Sequence, residues 1–470
     1  MSEQPHSPPP HRRRYRRRTR RSPLRDTLRA ATSHLPSRRP RDCGSPWRPW
    51  PVAGRLAAPI LTVLVTLAAC GGDPGGGTGT VRLTVGVFGD FGYEDLYKRF
   101  ESAHPNVSIV QRTVEYADHH KNLAARLATG SGANDVEAIE EGYIAQFKAQ
   151  PAKFVNLLDL GADDLADTWL DWKWQQSLSA DGRTQIGLGT DVGGLAMCYR
   201  RDLFDKAGLP NDRDDVSKLW PTWQDYLATG ARFTTEGPEG AAWYDGSGNF
   251  YNAILGQAET GVYDRQDNLV VDSNPAVKNA WDLAIRGIDD KLTARLAPFS
   301  PEWNTGFQKG GFATIACPAW MMGYIQDQAK NSSGKWDIAT IPGGSGNWGG
   351  SFLTVPKQSR HAKEAYELIR FLTAPEQQAY IFKQTGNLPS TPELYDNPEI
   401  VGFANPFFSG APVGKIFTDA ARNLEPQYQG PKAGDVRSAI GNGLVRVEQR
   451  KQRPDQAWRQ VLSDVTRLAR

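Results

Sequence analysis

The chain has 470 residues, with 55 Lys and Arg against 52 Asp and Glu and a net charge of +3. Residues 1–69 contain 15 arginines, no lysine and three acids, which is +12 and leaves residues 70–470 at −9. This acidic main part excludes the many phosphate contacts of a nucleic-acid-binding protein. Its length of roughly 400 residues is more than one hydrophobic core needs and is enough for two domains.

Residues 1–69 are predicted to be a targeting segment. The arginine-rich stretch at residues 11–25 is predicted to be a disordered leader, and an uncharged apolar run from Leu56 to Ala69 ends at Cys70. Small residues before a cysteine at the end of such a run resemble a bacterial lipobox, so we expect cleavage before Cys70 and lipidation of its thiol. The alternative is a transmembrane helix, but the run is shorter than the roughly 20 apolar residues that a span requires.

Residues 70–80 are rich in glycine and are predicted to form a flexible linker. Apolar residues at every second position of 81–87 then predict a strand. Further spacing predicts a helix over 93–104, a strand over 107–114, a helix over 122–129 ended by Gly130, and a strand over 134–139. This alternation predicts an α/β fold with a parallel sheet covered by helices.

In the second half of the chain, residues 185–200 are predicted to form a strand, a tight crossing and another strand. Thr222 and Asp225 resemble a capping box that opens a helix over 222–231. The remaining elements follow the same patterns. They are helices at 276–288, 361–372, 436–448 and 455–468, and strands at 312–317, 336–341 and 352–355.

No motif of a catalytic or metal site is present: HExxH, CxxC and G-x-S-x-G do not occur. His119 and His120 follow Asp118 at a predicted helix start, where solvated side chains are expected rather than a metal site. Gly343 to Gly350 is rich in glycine but lacks the Lys-Ser/Thr of a phosphate-binding loop. We therefore expect no cofactor, no metal and no enzymatic activity, although a pair of glycosidase carboxylates cannot be recognised by spacing alone.

Once Cys43 and Cys70 are assigned to the leader and the lipid, Cys198 and Cys317 remain. In an oxidising compartment such a pair predicts a disulfide, and two buried free thiols are the alternative.

Twelve of the 14 tryptophans follow the leader. Trp281 and Trp458 lie on apolar helix faces, whereas other aromatic residues occur where periodicity breaks and glycine is frequent. Aromatic rings stack on the apolar faces of sugars while polar groups bind the hydroxyls, so this set favours a neutral polar ligand over packing alone. These residues are Trp243, Tyr244, Phe250, Tyr251, Trp303, Trp320 and Trp348.

Several strings, taken in order, resemble one known family over essentially all of 81–470. The most specific is Tyr199-x-x-Asp-Leu-Phe-x-x-Ala-Gly-Leu-Pro210, and it is followed by Cys317-Pro-Ala-Trp320 and Trp348-Gly-Gly-Ser351. The chain resembles the extracytoplasmic solute-binding lipoproteins of carbohydrate ABC importers, the group that includes maltose-binding-protein-like receptors.

The resemblance implies a two-lobed, periplasmic-binding-protein-like α/β fold with three inter-lobe crossings, near 190–193, 344–350 and 389–398. The N-lobe would comprise 81–190 and 350–390, and the C-lobe 191–343 and 399–470. The ligand would lie between the lobes. The matching positions imply ligand contacts by Asp90, Glu141, Tyr143, Asp191, Trp320, Trp348 and Ser351, and position alone adds Trp243, Phe250 and Tyr251.

The expected function is that of a monomeric, lipid-anchored receptor on the outer face of the cell membrane. It would bind a sugar, most simply an oligosaccharide, and deliver it to the permease subunits of an ABC importer. A receptor of the same fold for a polyamine, phosphate ester or peptide is the first alternative, although neither a strongly acidic cleft nor an arginine cluster at the crossings is visible in the sequence. A surface polysaccharide hydrolase is the second.

Overall fold

The computed structural model describes residues 80–469. The expectations for the leader, for Cys70 and for most of the linker therefore lie outside the described residues. The elements, in chain order, are β1 (Val81–Val87), α1 (Glu94–Ala103), β2 (Val107–Thr113), α2 (Tyr116–Thr129), β3 (Val136–Glu140), α3 (Glu141–Lys148), α4 (Asp171–Ser177), β4 (Gly187–Gly189), β5 (Asp191–Val192), β6 (Leu195–Arg200), α5 (Arg201–Lys206), α6 (Arg213–Ser217), α7 (Trp223–Glu236), β7 (Ala242–Tyr244) and α8 (Ser247–Leu255).

They continue with α9 (Pro275–Asp289), α10 (Pro301–Lys309), β8 (Phe312–Pro318), α11 (Met321–Gln328), β9 (Trp336–Ala339), β10 (Ser351–Thr354), α12 (Ala362–Leu372), α13 (Pro375–Thr385), β11 (Leu388–Pro389), α14 (Pro398–Val401), α15 (Val413–Arg422), α16 (Ala433–Glu448) and α17 (Pro454–Leu468). None of the helices in residues 80–469 combines the length and apolar character needed to cross a membrane.

Two sheets form two lobes. The first has the strand order β2-β1-β3-β10-β4, and its inward-facing residues, such as Leu83 and Val85, pack beneath α1 and α12 in one apolar core. β1 is parallel to both β2 and β3, as the alternating pattern predicts. β10, however, is antiparallel to β3 and β4, because it enters the sheet from the other lobe and not from a helix of its own lobe.

The second sheet has the order β7-β8-β6-β9. Only β7 and β8 are parallel in this sheet, because β6 runs antiparallel to both β8 and β9. Cys198 on β6 and Cys317 on β8 form a disulfide, with a Cα–Cα distance of 5.4 Å. In this register Cys198 is opposite Ile315 and Ala196 is opposite Cys317, so the two cysteines are diagonal neighbours on one face of the sheet.

The chain passes between the two sheets at three places. The first passage is β5, between β4 and β6, and the second is the glycine-rich segment between β9 and β10. The third follows β11, which pairs with β5 in a separate two-stranded ribbon, Leu388 opposite Val192. Hydrogen bonds from Trp348 N to Gly193 O (2.9 Å) and from Thr190 N to Ser351 O (2.9 Å) join the first two passages directly.

Local signals placed several helix ends correctly. The capping box at Thr222 is confirmed: its hydroxyl accepts from Asp225 N at 3.2 Å, and Thr222 N donates to the Asp225 carboxylate at 3.2 Å. Gly130 ends α2 in the left-handed conformation, as expected. The start of α2 is six residues earlier than predicted, because Glu115 caps it by accepting from the amides of Ala117 and Asp118.

Candidate functional site

Asn347 joins the second passage to both neighbouring segments. Its side-chain oxygen accepts from Gly193 N (2.8 Å), which fixes the orientation of the amide, and its nitrogen donates to Glu141 Oε2 (2.7 Å) and to Gly349 O (3.2 Å). Glu141 is the first residue of α3, and its own backbone amide donates to Gly350 O (2.9 Å). A single buried amide therefore ties the first lobe to two of the three passages.

Asp191 and Ser351 meet beside this contact. Asp191 Oδ1 accepts from Thr190 Oγ1 (2.6 Å) and from Ser351 N (3.0 Å), and all three residues are buried. Asp191, which is expected to bind a ligand hydroxyl, thus also has a structural role, because its hydrogen bond from Ser351 N holds the first and second passages together.

Lys173 on α4 was not found by sequence reasoning. Its ammonium is fully buried, has no hydrogen-bond partner among residues 80–469, and lies 4.0 Å from the ring centroid of Phe352. Burial lowers the pKa of Lys173, while the carboxylates of Glu141 and Asp191 oppose that shift. Burial likewise raises the pKa of Glu141 to about 7, against the effect of Lys173.

The ion pair between Arg437 and Glu140 connects the two lobes directly. Arg437 on α16 lies 3.4 Å from the carboxylate of Glu140, the last residue of β3. Glu140 also accepts from Tyr116 Oη (2.8 Å) and from Gly142 N (2.7 Å), so two hydrogen bonds from its own lobe orient its carboxylate. The pair is partly buried, and its members are 297 residues apart in the chain.

Tyr143 lies close to this ion pair, near enough for the charges of Glu140 and Arg437 to act on its pKa. Its ring stacks on His120, with centroids 4.1 Å apart and planes at 10°, and a Cβ on Gly434 of α16 would come within 2.7 Å of its Cζ. Helix α16 therefore approaches α3 closely only because residue 434 is glycine.

The expectation that His119 and His120 are solvated is wrong, because both are buried beneath this surface. His120 Nε2 accepts from Glu140 N (3.0 Å), so its Nδ1 carries the proton and donates to Tyr116 O (2.8 Å). His119 Nε2 contacts Ala138 O at 2.7 Å. Burial lowers the pKa of His120 to about 3, so the ring is a neutral support for Tyr143 and the end of β3.

Trp320 and Trp348 come together where the lobes meet. Their rings are 5.7 Å apart at 74°, and Trp320 Nε1 donates to Trp348 O (3.1 Å). Both side chains are only partly buried, and Gly349, at φ +93°, allows the chain to pass against the Trp320 ring. The two tryptophans thus expose ring surface beside the polar groups around Asn347.

Two aromatic candidates lie elsewhere. Trp243 is fully buried among Phe204, Tyr226 and Phe233, and Phe250 stacks on Tyr226 and Tyr244. Both belong to the core of the second lobe, and the expectation that they contact ligand is corrected. Periodicity could not show this, because β7 and α8 are short and largely buried on all sides.

Tyr251 differs from them. It is buried, but its hydroxyl has no hydrogen-bond partner within residues 80–469, and the charge of Arg437 opposes the rise that burial causes in its pKa. Tyr251 thus adjoins the inter-lobe ion pair.

Asp90 is exposed in the loop after β1, where it accepts from Gly92 N (2.8 Å) and closes a local turn. No hydrogen bond or ion pair of the described residues connects it to the other candidates.

The charges at the junction nearly balance. Three carboxylates (Glu140, Glu141 and Asp191) face two cations (Lys173 and Arg437), and one of those carboxylates has a pKa near neutrality. Residues 80–469 hold no group of three His, Cys, Asp or Glu side chains arranged for a metal ion. The three carboxylates and two cations together offer hydrogen-bond acceptors and donors to a ligand without a strong net charge.

Residues 95–405 match the family model described as bacterial extracellular solute-binding protein. The chain belongs to this family. Its members are receptors and not enzymes, and they act outside the cytoplasm. A crystal structure titled extracellular solute-binding protein family 1 is 44% identical, with a TM-score of 0.72, and the alignment covers 83% of this chain and all of that one.

Two further similarities agree with this assignment. The arabinooligosaccharide-binding protein of Bacillus subtilis (strain 168) is 27% identical over 394 residues, which are 78% of this chain and 88% of that protein. The ABC transporter associated binding protein of B. animalis subsp. lactis Bl-04, in complex with β-1,6-galactobiose, is 20% identical, with a TM-score of 0.72, and the alignment covers 82% and 96% of the two chains. At 20% identity, the likeness to the galactobiose-bound structure shows the two-lobed fold alone.

Proposed function

We propose that this solute-binding protein binds a neutral oligosaccharide between its lobes and delivers it to the permease of an ABC importer. The proposal rests on one observation. The rings of Trp320 and Trp348 are in contact and partly exposed, and they lie beside the buried hydrogen bond between Asn347 and Glu141. Ring faces suit the apolar faces of sugars, and the balanced charges suit hydroxyl groups. The Bacillus subtilis relative, which is named for binding arabino-oligosaccharides, supports the same class.

Closure follows from the same contacts. Glu140 and Tyr143 belong to the lobe proposed to comprise 81–190 and 350–390, whereas Arg437 and Gly434 belong to the lobe proposed to comprise 191–343 and 399–470. A ligand that bridges both lobes favours the closed arrangement, because only that arrangement makes all contacts. A permease that recognises the closed arrangement would then select the loaded receptor.

Among the expected ligand residues, we assign ring stacking to Trp320 and Trp348 and hydrogen bonding to Glu141. We assign Tyr143 and Tyr251 to the sides of the cleft, next to Arg437. Asp191 and Ser351 we assign to its floor, where they also hold the passages, and Asp90 to the outer rim.

Isothermal titration calorimetry of the purified protein with mono- and oligosaccharides of several linkages tests this proposal. We expect saturable binding to one linkage class and a loss of about tenfold in affinity in Trp320→Ala, from stacking and lost apolar area. Trp458→Ala is a matched control, because Trp458 is also partly buried but packs on Trp281 between helices of one lobe (5.0 Å). Absence of binding to every sugar by folded protein would contradict the proposal.

We also propose that a lipid on Cys70 anchors the receptor to the outer face of the membrane as a monomer. Two acyl chains suffice for stable anchoring, whereas one does not. Cys70→Ala should move the protein from the membrane fraction to the soluble fraction. Retention of the variant in the membrane fraction would contradict lipidation as the anchor.

A further inference from the structure

Phe299 is an unusual residue in this fold. It is 45% exposed, and Leu468, at 37%, is the other large apolar side chain of residues 80–469 that is similarly exposed. Its backbone has φ +64°. That conformation is unfavourable for a bulky side chain by about 1–2 kcal/mol. Both properties disfavour phenylalanine on grounds of stability alone, which suggests a role outside the fold.

The ring of Phe299 is nevertheless held in place. It packs edge-on against Trp303 (5.3 Å) and Tyr324 (5.7 Å). Trp303 is itself fixed, because it is buried and its indole nitrogen donates to Asp245 (2.8 Å). Ser300, the next residue, caps α10 by accepting from Trp303 N (3.2 Å). The exposed ring is therefore positioned by a rigid base.

Phe299 also extends the row of rings at the junction. Its plane lies at 22° to that of Trp320, with centroids 6.4 Å apart, and Trp320 in turn contacts Trp348. Beside Phe299, Tyr324 Oη donates to Asn304 Oδ1 (2.6 Å), and both side chains are partly exposed. An apolar face with hydroxyl and amide groups at its edge is again the chemistry of a sugar subsite.

We propose that Phe299 forms an outer subsite that binds an additional sugar unit, so that this receptor prefers oligosaccharides long enough to extend from Trp348 past Trp320. The inference rests on the proposed function and makes it more specific. It assigns chain-length preference to Phe299, while Trp320 and Trp348 bind the inner units.

The test compares affinities along a homologous series. Arabino-oligosaccharides and malto-oligosaccharides of one to five units are titrated calorimetrically into the wild-type protein, and the series that binds is repeated with variants. We expect a step of about three- to tenfold in affinity at the length that reaches Phe299. Phe299→Ala should abolish this step and leave the affinity for the shorter members unchanged.

Phe299→Asn tests whether the loss of the affinity step is independent of a loss of stability. Asparagine tolerates the left-handed conformation better than alanine does, and both variants lose the contacts of the ring, so Phe299→Asn should unfold at a higher temperature than Phe299→Ala. It should still lose the affinity step. Leu468→Ala, which removes the other exposed apolar side chain, should retain it.

The outcomes distinguish the two levels of the proposal. If neither series binds the wild-type protein, the proposed function fails for these sugars. If one series binds but shows no step, or if Phe299→Ala and Phe299→Asn retain the step, the outer subsite is wrong while the sugar receptor stands. Equal losses for short and long ligands would also overturn the subsite, because Phe299 would then act only by positioning Trp320.

Discussion

Replacing Asn347 by aspartate tests whether the junction between the lobes depends on one buried amide. The new carboxylate could still accept from Gly193 N, but it would lose both donated bonds, to Glu141 (2.7 Å) and to Gly349 O (3.2 Å). A hydrogen bond to a charged group contributes about 1.5–3 kcal/mol and a neutral one about 1 kcal/mol. N347D should therefore lose about 3 kcal/mol of stability at about pH 8, with two carboxylates facing each other.

The loss should depend on pH with a defined sign. Two neighbouring carboxyl groups share a proton, so one pKa of the pair is raised in the folded protein above its value in the unfolded chain. Such groups make the fold less stable as the pH rises from about 5 to 8. The wild type should show part of this trend, because burial already raises the pKa of Glu141 to about 7. N347D should show it more steeply.

Guanidinium unfolding at about pH 5 and about pH 8 measures both effects. The control is N397D, because Asn397 caps α14 by accepting from Glu399 N and aspartate is an equally good cap. The double variant E141Q/N347D exchanges donor and acceptor, and it should recover stability relative to N347D. If N347D matched the wild type at the higher pH, or if its pH dependence matched that of N397D, the assigned role of the amide would be wrong.

Two further predictions concern the second lobe and its closure. Replacing Cys198 and Cys317 by alanine should cost about 4–5 kcal/mol in the chain-entropy model, because the bridge closes a loop with a sequence separation of 119, and an unchanged guanidinium midpoint would contradict this. G434A should weaken sugar binding, since its Cβ would lie 2.7 Å from Tyr143 across the lobes. G441A, in the same helix with open space around it, should gain about 1 kcal/mol and keep its affinity, and calorimetry distinguishes the two.

The sequence predicted most regular elements because their signals are local. The helix over 276–288 is α9 (Pro275–Asp289), and the last predicted helix is α17 (Pro454–Leu468), each with an apolar face at helical spacing. Strand direction was less predictable. β10 has the composition of any buried strand, and only the passage that precedes it makes it antiparallel.

The candidate site residues also differ in how far local sequence could identify them. Trp243 and Trp320 are the same residue type and were both predicted to contact ligand, yet one lies in the core and the other at the junction. Lys173 and Arg437 gave no signal, because a charged residue on a helix is normally solvated. Their positions depend on partners far away in sequence: Arg437 meets Glu140 across 297 residues.

By itself the sequence determined the α/β class, the family resemblance, the cysteine pair and the set of aromatic residues from which the site is drawn. Each of these depends on residue type and on spacing within a short segment. The tertiary structure alone decided which aromatic rings are exposed, which charges are buried together and which glycines allow close approach. Those properties arise where three passages of the chain meet, because burial and electrostatic environment are set by neighbours in space and not by neighbours in sequence.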